Sequence, residues 1–161
     1  MSLECTIRPA APDETEAIFV VHVAAIIAHG PSAYTEKQVA AWAAKTDGTD
    51  RYAASIEDPS TEIVVAEVNE RIVGFGELDV GNGEIESIFV DPDWGERGIG
   101  SSLLRHFEQR LRDEGFSRVR LRAALNAVGF YERRGYDPGE RVTTRTTNDV
   151  ALESRWMEKP I

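Results

Sequence analysis

The stretch from Glu84 to Leu104, EIESIFVDPDWGERGIGSSLL, restricts this chain more than any other. Ile85, Ile88, Phe89 and Val90 predict a strand, and Asp91-Pro92-Asp93 stops it. Gly95, Gly98 and Gly100 then lead into a helix that begins near Gly100 and carries Leu103, Leu104, Phe107 and Leu111 on one face. A strand, a glycine loop and a helix N-terminus together make an anion site. The loop and first-turn amides have no carbonyl partner there, and the helix dipole adds positive potential. A phosphate or pyrophosphate is the expected guest. Two nucleotide fingerprints fail at this loop: no G-x-x-x-x-G-K-[ST] is present, and GERGIG lacks the spacing of G-x-G-x-x-G.

At 161 residues and 42% hydrophobic content the chain is expected to form one domain, 1–161, around a single core. The single Cys5 excludes an internal disulfide and a cysteine-rich zinc site and suits a reducing compartment. The longest apolar run, Ile18 to Ala28 interrupted by His22, is expected to be too short for a bilayer, and no signal peptide is read at the start. A cytoplasmic location is the expectation. The net charge of −10 argues against nucleic acid and anionic membrane as partners, since the long-range field repels both. Only Lys37, Lys45 and Lys159 are lysines. Two settings account for an acidic surface so poor in lysine: a halophilic, high-salt cytoplasm that screens self-repulsion, or an arginine-rich genome and an ordinary acidic protein.

In chain order, Glu4 to Arg8 reads as a strand ended by Pro9 and Pro12. Asp13-x-x-Glu16 reads as a capping box for a helix to about Ala28, apolar nearly all round and so expected to be buried on more than one side. Thr35-x-x-Gln38 is a second capping box, opening a helix with Val39, Trp42 and Ala43 inward and Asp47-Gly48 as its stop. Glu62 to Val68 and Arg71 to Val80, joined by Asn69-Glu70, predict a hairpin, and Gly81-Asn82-Gly83 turns into the Glu84 strand. Arg118 to Ala123 is expected to lie parallel to that strand after a right-handed helical crossover, with Gly115 ending the helix. Two strands about Thr147-Asn148-Asp149 close the sheet.

Ile88-Phe89-Val90-Asp91-Pro92 followed by Arg97-Gly98-Ile99-Gly100 resembles motif A of the GCN5-related N-acetyltransferases, and Asn126 to Tyr136, NAVGFYERRGY, resembles their motif B. Gly95 and Glu96 depart from the pattern: the family usually has Gln or Arg at the first position and often Gly at the second. The resemblance implies an α/β (α+β) acyl-CoA N-acyltransferase fold, a mixed, mostly antiparallel sheet of about seven strands with about four helices, in the order βααβββαβαββ. It also implies acetyl-CoA as co-substrate, no metal, and a small-molecule or peptide amine as acceptor; a homodimer is compatible with it.

By that resemblance, Ile88, Phe89 and Val90 bind pantetheine and the thioester. Glu96, Arg97, Gly98, Ile99, Gly100 and Ser101 form the pyrophosphate loop, and Asn126 and Arg133 complete the coenzyme A contacts. Tyr131 matches the motif B tyrosine and is the expected general acid, since a phenol holds its proton at neutral pH. Glu84 and then Glu86 are the candidates for the base, sharing a strand face, with ordered water as the other route. Tyr34, Trp42, His22 and His29 are the candidates to line the acceptor pocket, with Glu77 as a further acceptor contact. Arg118, Arg120 and Arg122 alternate on one strand face, either pairing with acidic groups or approaching a phosphate. The competing reading is a non-catalytic acyl-CoA-binding or sensing module on the same fold.

Overall fold

The structure is a computed structural model, described here for residues 4–44, 48–146 and 148–161. Seven strands form one sheet in the order β1-β2-β3-β4-β5-β7-β6. They are β1 (Thr6–Pro9), β2 (Thr61–Val68), β3 (Arg71–Asp79), β4 (Glu84–Val90), β5 (Arg118–Ala124), β6 (Asp137–Arg145) and β7 (Ala151–Pro160). Among the described residues five α-helices accompany them: α1 (Thr15–His29), α2 (Glu36–Ala43), α3 (Asp50–Glu57), α4 (Ile99–Asp113) and α5 (Val128–Glu132). This is the mixed sheet anticipated above with one helix more. Tyr52 and Ile56, four residues apart, give α3 its inward face, and Tyr52 is fully buried.

The sheet has a helical layer on each face. Ile99, Leu103, Leu104, Phe107 and Leu111 of α4 pack on Val73, Leu78, Ile85, Val119 and Leu121 from the strands. The approach is close at Gly76, where an added Cβ would lie 2.5 Å from Phe107 Cε2. On the opposite face Ile18 and Val21 of α1 and Tyr52 of α3 pack on Ile63, Val65 and Phe75.

Several local expectations are corrected. The N-terminal turn of α1 is not capped by Asp13: a 3-10 turn, Pro12–Glu14, precedes the helix, and the Glu14 carboxylate accepts from Ala11 N–H (2.7 Å) and from Arg8. The helix is buried on one side only, since Val20 and Ile27 on its outer face are 60% and 57% exposed. Counting its flanking turns, the helical stretch Pro12–Ser32 has 21 residues and contains an 18-residue window of mean hydropathy 1.3, so length and composition alone would admit a bilayer span. Ile18, Val21, His22, Ala25 and Ile26 are nevertheless buried against the rest of the chain, as in a core helix. The Thr35–Gln38 box forms in both directions, with Gln38 N–H donating to Thr35 Oγ1 (3.2 Å) and Thr35 N–H to Gln38 Oε1 (2.9 Å). Asp47 and Thr147, expected at a helix stop and a hairpin turn, lie outside the described residues.

Candidate active site at the split between β4 and β5

β4 and β5 are parallel but pair only at Glu84↔Arg120 and Ile85↔Leu121. Beyond Ile85 the strands part, while β4 stays paired to β3 as far as Val90↔Gly74. The β5-facing edge of Glu86–Val90 therefore has no strand partner. Asp91 N–H donates to Val73 C=O (2.8 Å), so by alternation Val90 N–H points to the open edge. A main-chain donor at that place can polarise a carbonyl laid along the strand.

A bulge at Glu86 accompanies the split. Leu78 pairs with Ile85 and Glu77 with Ser87, leaving Glu86 as the extra residue. The sequence carried a trace of this: Ile85 and Ile88 are three apart, yet both pack against the core beneath α4. Strict alternation would have placed them on opposite faces.

The split opens into a cleft of about 800 Å³. Of the residues singled out from sequence, it brings together Glu86, Ile88, Phe89, Val90, Gly100, Asn126, Tyr131 and Arg133, with His22, His29, Tyr34 and Trp42 on the far wall. Glu84 and Glu77 do not line it. Glu84 pairs with Arg122 at 3.8 Å, and the Glu77 carboxylate, 5% exposed, accepts from Ser55 Oγ (2.7 Å) and Arg51 (3.2 Å) on α3. Glu86 stands at the mouth. Desolvation, then the charges of Glu84 and Glu77, raise its carboxyl above the ordinary carboxylate range. Tyr131 is buried, and burial pushes its phenol well above its usual value, so it keeps its proton.

The helix end beside this strand lacks a side-chain cap. Gly98 is its N-cap at φ 78°, a left-handed conformation that glycine adopts without penalty. The first intrahelical bond there runs from Ser102 N–H to Gly98 C=O (3.0 Å), leaving the amides of Ile99, Gly100 and Ser101 available to an anion. The Ile99 side chain itself is buried in the core. Arg97 lies outside the cleft, its guanidinium 4.7 Å above the Trp94 ring, and Glu96 is exposed at φ 59°. Gly95 has φ −65° and only ordinary contacts at a Cβ, so the backbone does not require glycine there.

Around the corner Ser101 Oγ accepts from Arg134 Nε (2.8 Å) in a second pocket of about 390 Å³, which Arg105 and Arg133 also line. Burial, then the neighbouring Arg133 and Arg105, lower the Arg134 pKa, so this corner is rich in positive charge.

Sequence reasoning missed Arg51 and Ser87 as cleft residues; Arg122, singled out as either pairing with acidic groups or approaching a phosphate, lines the cleft and pairs with Glu84. Arg51 needed α3, which the Tyr52–Ile56 spacing could have revealed; nothing in the sequence singles out Ser87. Tyr34 has a role that no motif announced. Its hydroxyl donates to Glu153 C=O (2.5 Å) and accepts from Leu125 N–H (2.9 Å), so it ties the loop after α1 to the β5 and β7 side of the cleft. His22, 3% exposed, has Nδ1 against the Tyr52 hydroxyl and its ring 4.2 Å from that of Phe89. Among the described residues no group of three or more His, Cys, Asp or Glu is placed to hold a metal ion.

A family model described as an acetyltransferase (GNAT) domain matches residues 31–147. An uncharacterized N-acetyltransferase of Escherichia coli strain K12, YafP, is 26% identical over 130 residues, 81% of this chain and 79% of that protein. A crystal structure from Rhodopseudomonas palustris, described as a GCN5-related N-acetyltransferase and as an aminotransferase, class II, superposes with TM-score 0.91 at 26% identity, covering 100% of this chain and 99% of that one. The PaiA N-acetyltransferase of Thermoplasma acidophilum, crystallised in complex with coenzyme A, shares the fold with TM-score 0.79 at 20% identity over 99% and 100% of the two chains. An open strand edge, an uncapped helix end and a buried tyrosine in one cleft, with a family model over most of the chain, lead to one assignment: the chain belongs to the GNAT acetyltransferase family.

Proposed function

We propose that the protein moves an acetyl group from acetyl-CoA directly to a primary amine. The observation that carries this is the split itself: the unpaired edge of Glu86–Val90 runs up to the uncapped start of α4. Pantetheine and the thioester lie along Ile88–Val90, and the diphosphate takes the amides of Gly98 to Ser101. Arg133 takes a phosphate, and Asn126, whose Oδ1 is buried without a protein partner, supplies a polar contact. The coenzyme A complex of the Thermoplasma protein supports this placement through the shared fold.

In the reaction the amine nitrogen attacks the thioester carbonyl carbon, a C–N bond forms and the C–S bond breaks. Glu86 takes the proton the ammonium must lose before attack, directly or through water, and later returns it to solvent; Tyr131 gives its proton to the departing thiolate and regains one from the second nitrogen proton, shed as the tetrahedral intermediate collapses to the amide. Val90 N–H stabilises the negative charge developing on the carbonyl oxygen. Glu86 replaces Glu84 as first choice for the base because it faces the cleft, whereas Glu84 is turned to Arg122. A cytoplasmic site of action is part of the same reading.

Release of free coenzyme A thiol from acetyl-CoA in the presence of an amine panel tests the proposal. Turnover is expected, with Tyr131→Phe slowing it about 10²–10⁴-fold. Acetyl-CoA binding with no turnover of any amine would instead favour a binding or sensing module. Glu96 is the residue that speaks for that alternative, as a carboxylate in the phosphate loop.

A further inference from the structure

The cleft has one side toward α4 and α5 and another toward α1, α2 and α3. Among the described residues, the buried side-chain polar atoms without a hydrogen-bond partner are Ser87 Oγ and Asn126 Oδ1, and both residues line this cleft, one on each arm of the split. Asn126 belongs to the coenzyme A contacts already assigned. Ser87 does not. Two residues before Phe89 in continuous register, it shares the face of Phe89, whose ring packs with residues of α1 and α2. A shielded hydroxyl without a partner is destabilising. A polar ligand atom is the partner this position lacks.

The side of the cleft toward α1 and α2 is walled by rings. The Phe89 ring lies 4.2 Å from His22 and 6.3 Å from Trp42, and Trp42 lies 5.5 Å from Tyr34. The Tyr34 hydroxyl is taken up by Glu153 and Leu125, so Tyr34 offers its ring alone. Charges on this side are already matched. Arg51 pairs with Glu77 (3.2 Å), Arg122 with Glu84 (3.8 Å), Arg145 with Asp149 (3.2 Å) and Glu153 with Arg141 (3.1 Å). Among these cleft arginines and glutamates, Glu86 is the one without an ion pair among the described residues; Arg122, paired with Glu84, acts on it only at longer range. One positive charge is therefore wanted. A second ammonium or a carboxylate on the acceptor would have to displace an existing partner.

Resting on the acetyl-transfer reading above, we propose that the acceptor is a primary amine with an uncharged aromatic body, its ammonium held by the Glu86 carboxylate and Ser87 Oγ and its ring laid against Trp42 and Phe89. Ser87 is then a specificity-determining residue. It binds the nitrogen that attacks and takes no proton.

Calorimetry of amines titrated into the full chain saturated with coenzyme A, paired with acetyl transfer from acetyl-CoA to the same amines, tests the assignment. The panel is 2-phenylethylamine, butylamine, phenylalanine and 1,4-diaminobutane. 2-Phenylethylamine is expected to bind best. Ser87→Ala should weaken it about tenfold, the equivalent of one hydrogen bond at about 1.4 kcal/mol. Affinity for coenzyme A should be unchanged, and the melting temperature should not fall, because the substitution removes an unpartnered group. A purely structural hydroxyl would behave in the opposite way, lowering the melting temperature and leaving amine affinity alone, and that result overturns the proposal. So does equal or better binding of butylamine, phenylalanine or diaminobutane, or silence from all four. Tight binding of 2-phenylethylamine without transfer would uphold the acceptor class and sink the catalytic reading; transfer confined to the charged amines would do the reverse.

Discussion

The two halves of the sheet are built differently. β2 and β3 are buried along most of their length, with α4 beneath and α1 and α3 above. β5 is buried at every second residue: Val119, Leu121 and Ala123 face the core, while Arg118, Arg120 and Arg122 face outward. Arg120 and Arg122 use that face to lie over the Trp156 ring, at 4.2 and 5.4 Å. A double-sided half and a single-sided half meet at β4 and β5, and the active cleft opens where their hydrogen bonding stops. The first half provides rigidity, and the second can diverge because only one of its faces must stay packed. Its carboxylates follow the same division. Glu62 on β2 is held below the ordinary carboxylate range by its hydrogen bond from His106, helped by Arg110, whereas Glu86 at the split is raised.

This division can be broken by substitutions that move chemistry on one side and stability on the other. The largest effect is expected at the split: Glu86→Gln should lower kcat about 10²–10⁴-fold and abolish the acidic limb of the rate profile. In the unaltered protein that limb should fall at a pH above the ordinary carboxylate range, since the base must be ionised and its pKa is raised. An unchanged limb in the variant would assign the proton to water. Phe107→Ala, in the double-sided half, should cost about 3–5 kcal/mol in denaturant unfolding, while leaving the affinity of the folded fraction for acetyl-CoA intact.

A smaller effect is expected at the phosphate loop. Glu96→Gly relieves a left-handed backbone worth about 1 kcal/mol and removes a carboxylate beside the diphosphate, so thermal stability and coenzyme A affinity should both rise. A loss of affinity would show that Glu96 serves the ligand. The smallest is at Glu62. Its folded pKa is depressed, so its stabilisation is complete above the unfolded carboxylate pKa and fades as pH falls through the folded one. Glu62→Gln should therefore lower the melting temperature at neutral pH, with the difference from the parent shrinking in acid.

Much of the frame was legible in advance because it rests on local rules. The Thr35–Gln38 box, the Asn69-Glu70 hairpin with both residues at positive φ, the crossover to a parallel β5 and the turn at Gly115 all follow from neighbouring residues. Tyr131, Asn126 and the Val90 edge were within reach because their motifs lie in continuous sequence. Residues 49–57 were not read as a helix, since two inward side chains, Tyr52 and Ile56, are a weak periodic signal over so short a span. The outward exposure of Val20 and Ile27 was hidden by the even hydrophobicity of α1, which gave no face to prefer.

From its own order of residues this chain determined a glycine-loop helix start, the strand that precedes it and the tyrosine that follows, because a dipole, a turn and a capping bond are each made within a few residues. Which carboxylate faces the cleft, which hydroxyl lacks a partner and which arginines are already neutralised were decided only by packing. Glu84 and Glu86 are equivalent in an ideal strand. One bulge, set by the register of β3 against β4, gave them different neighbours.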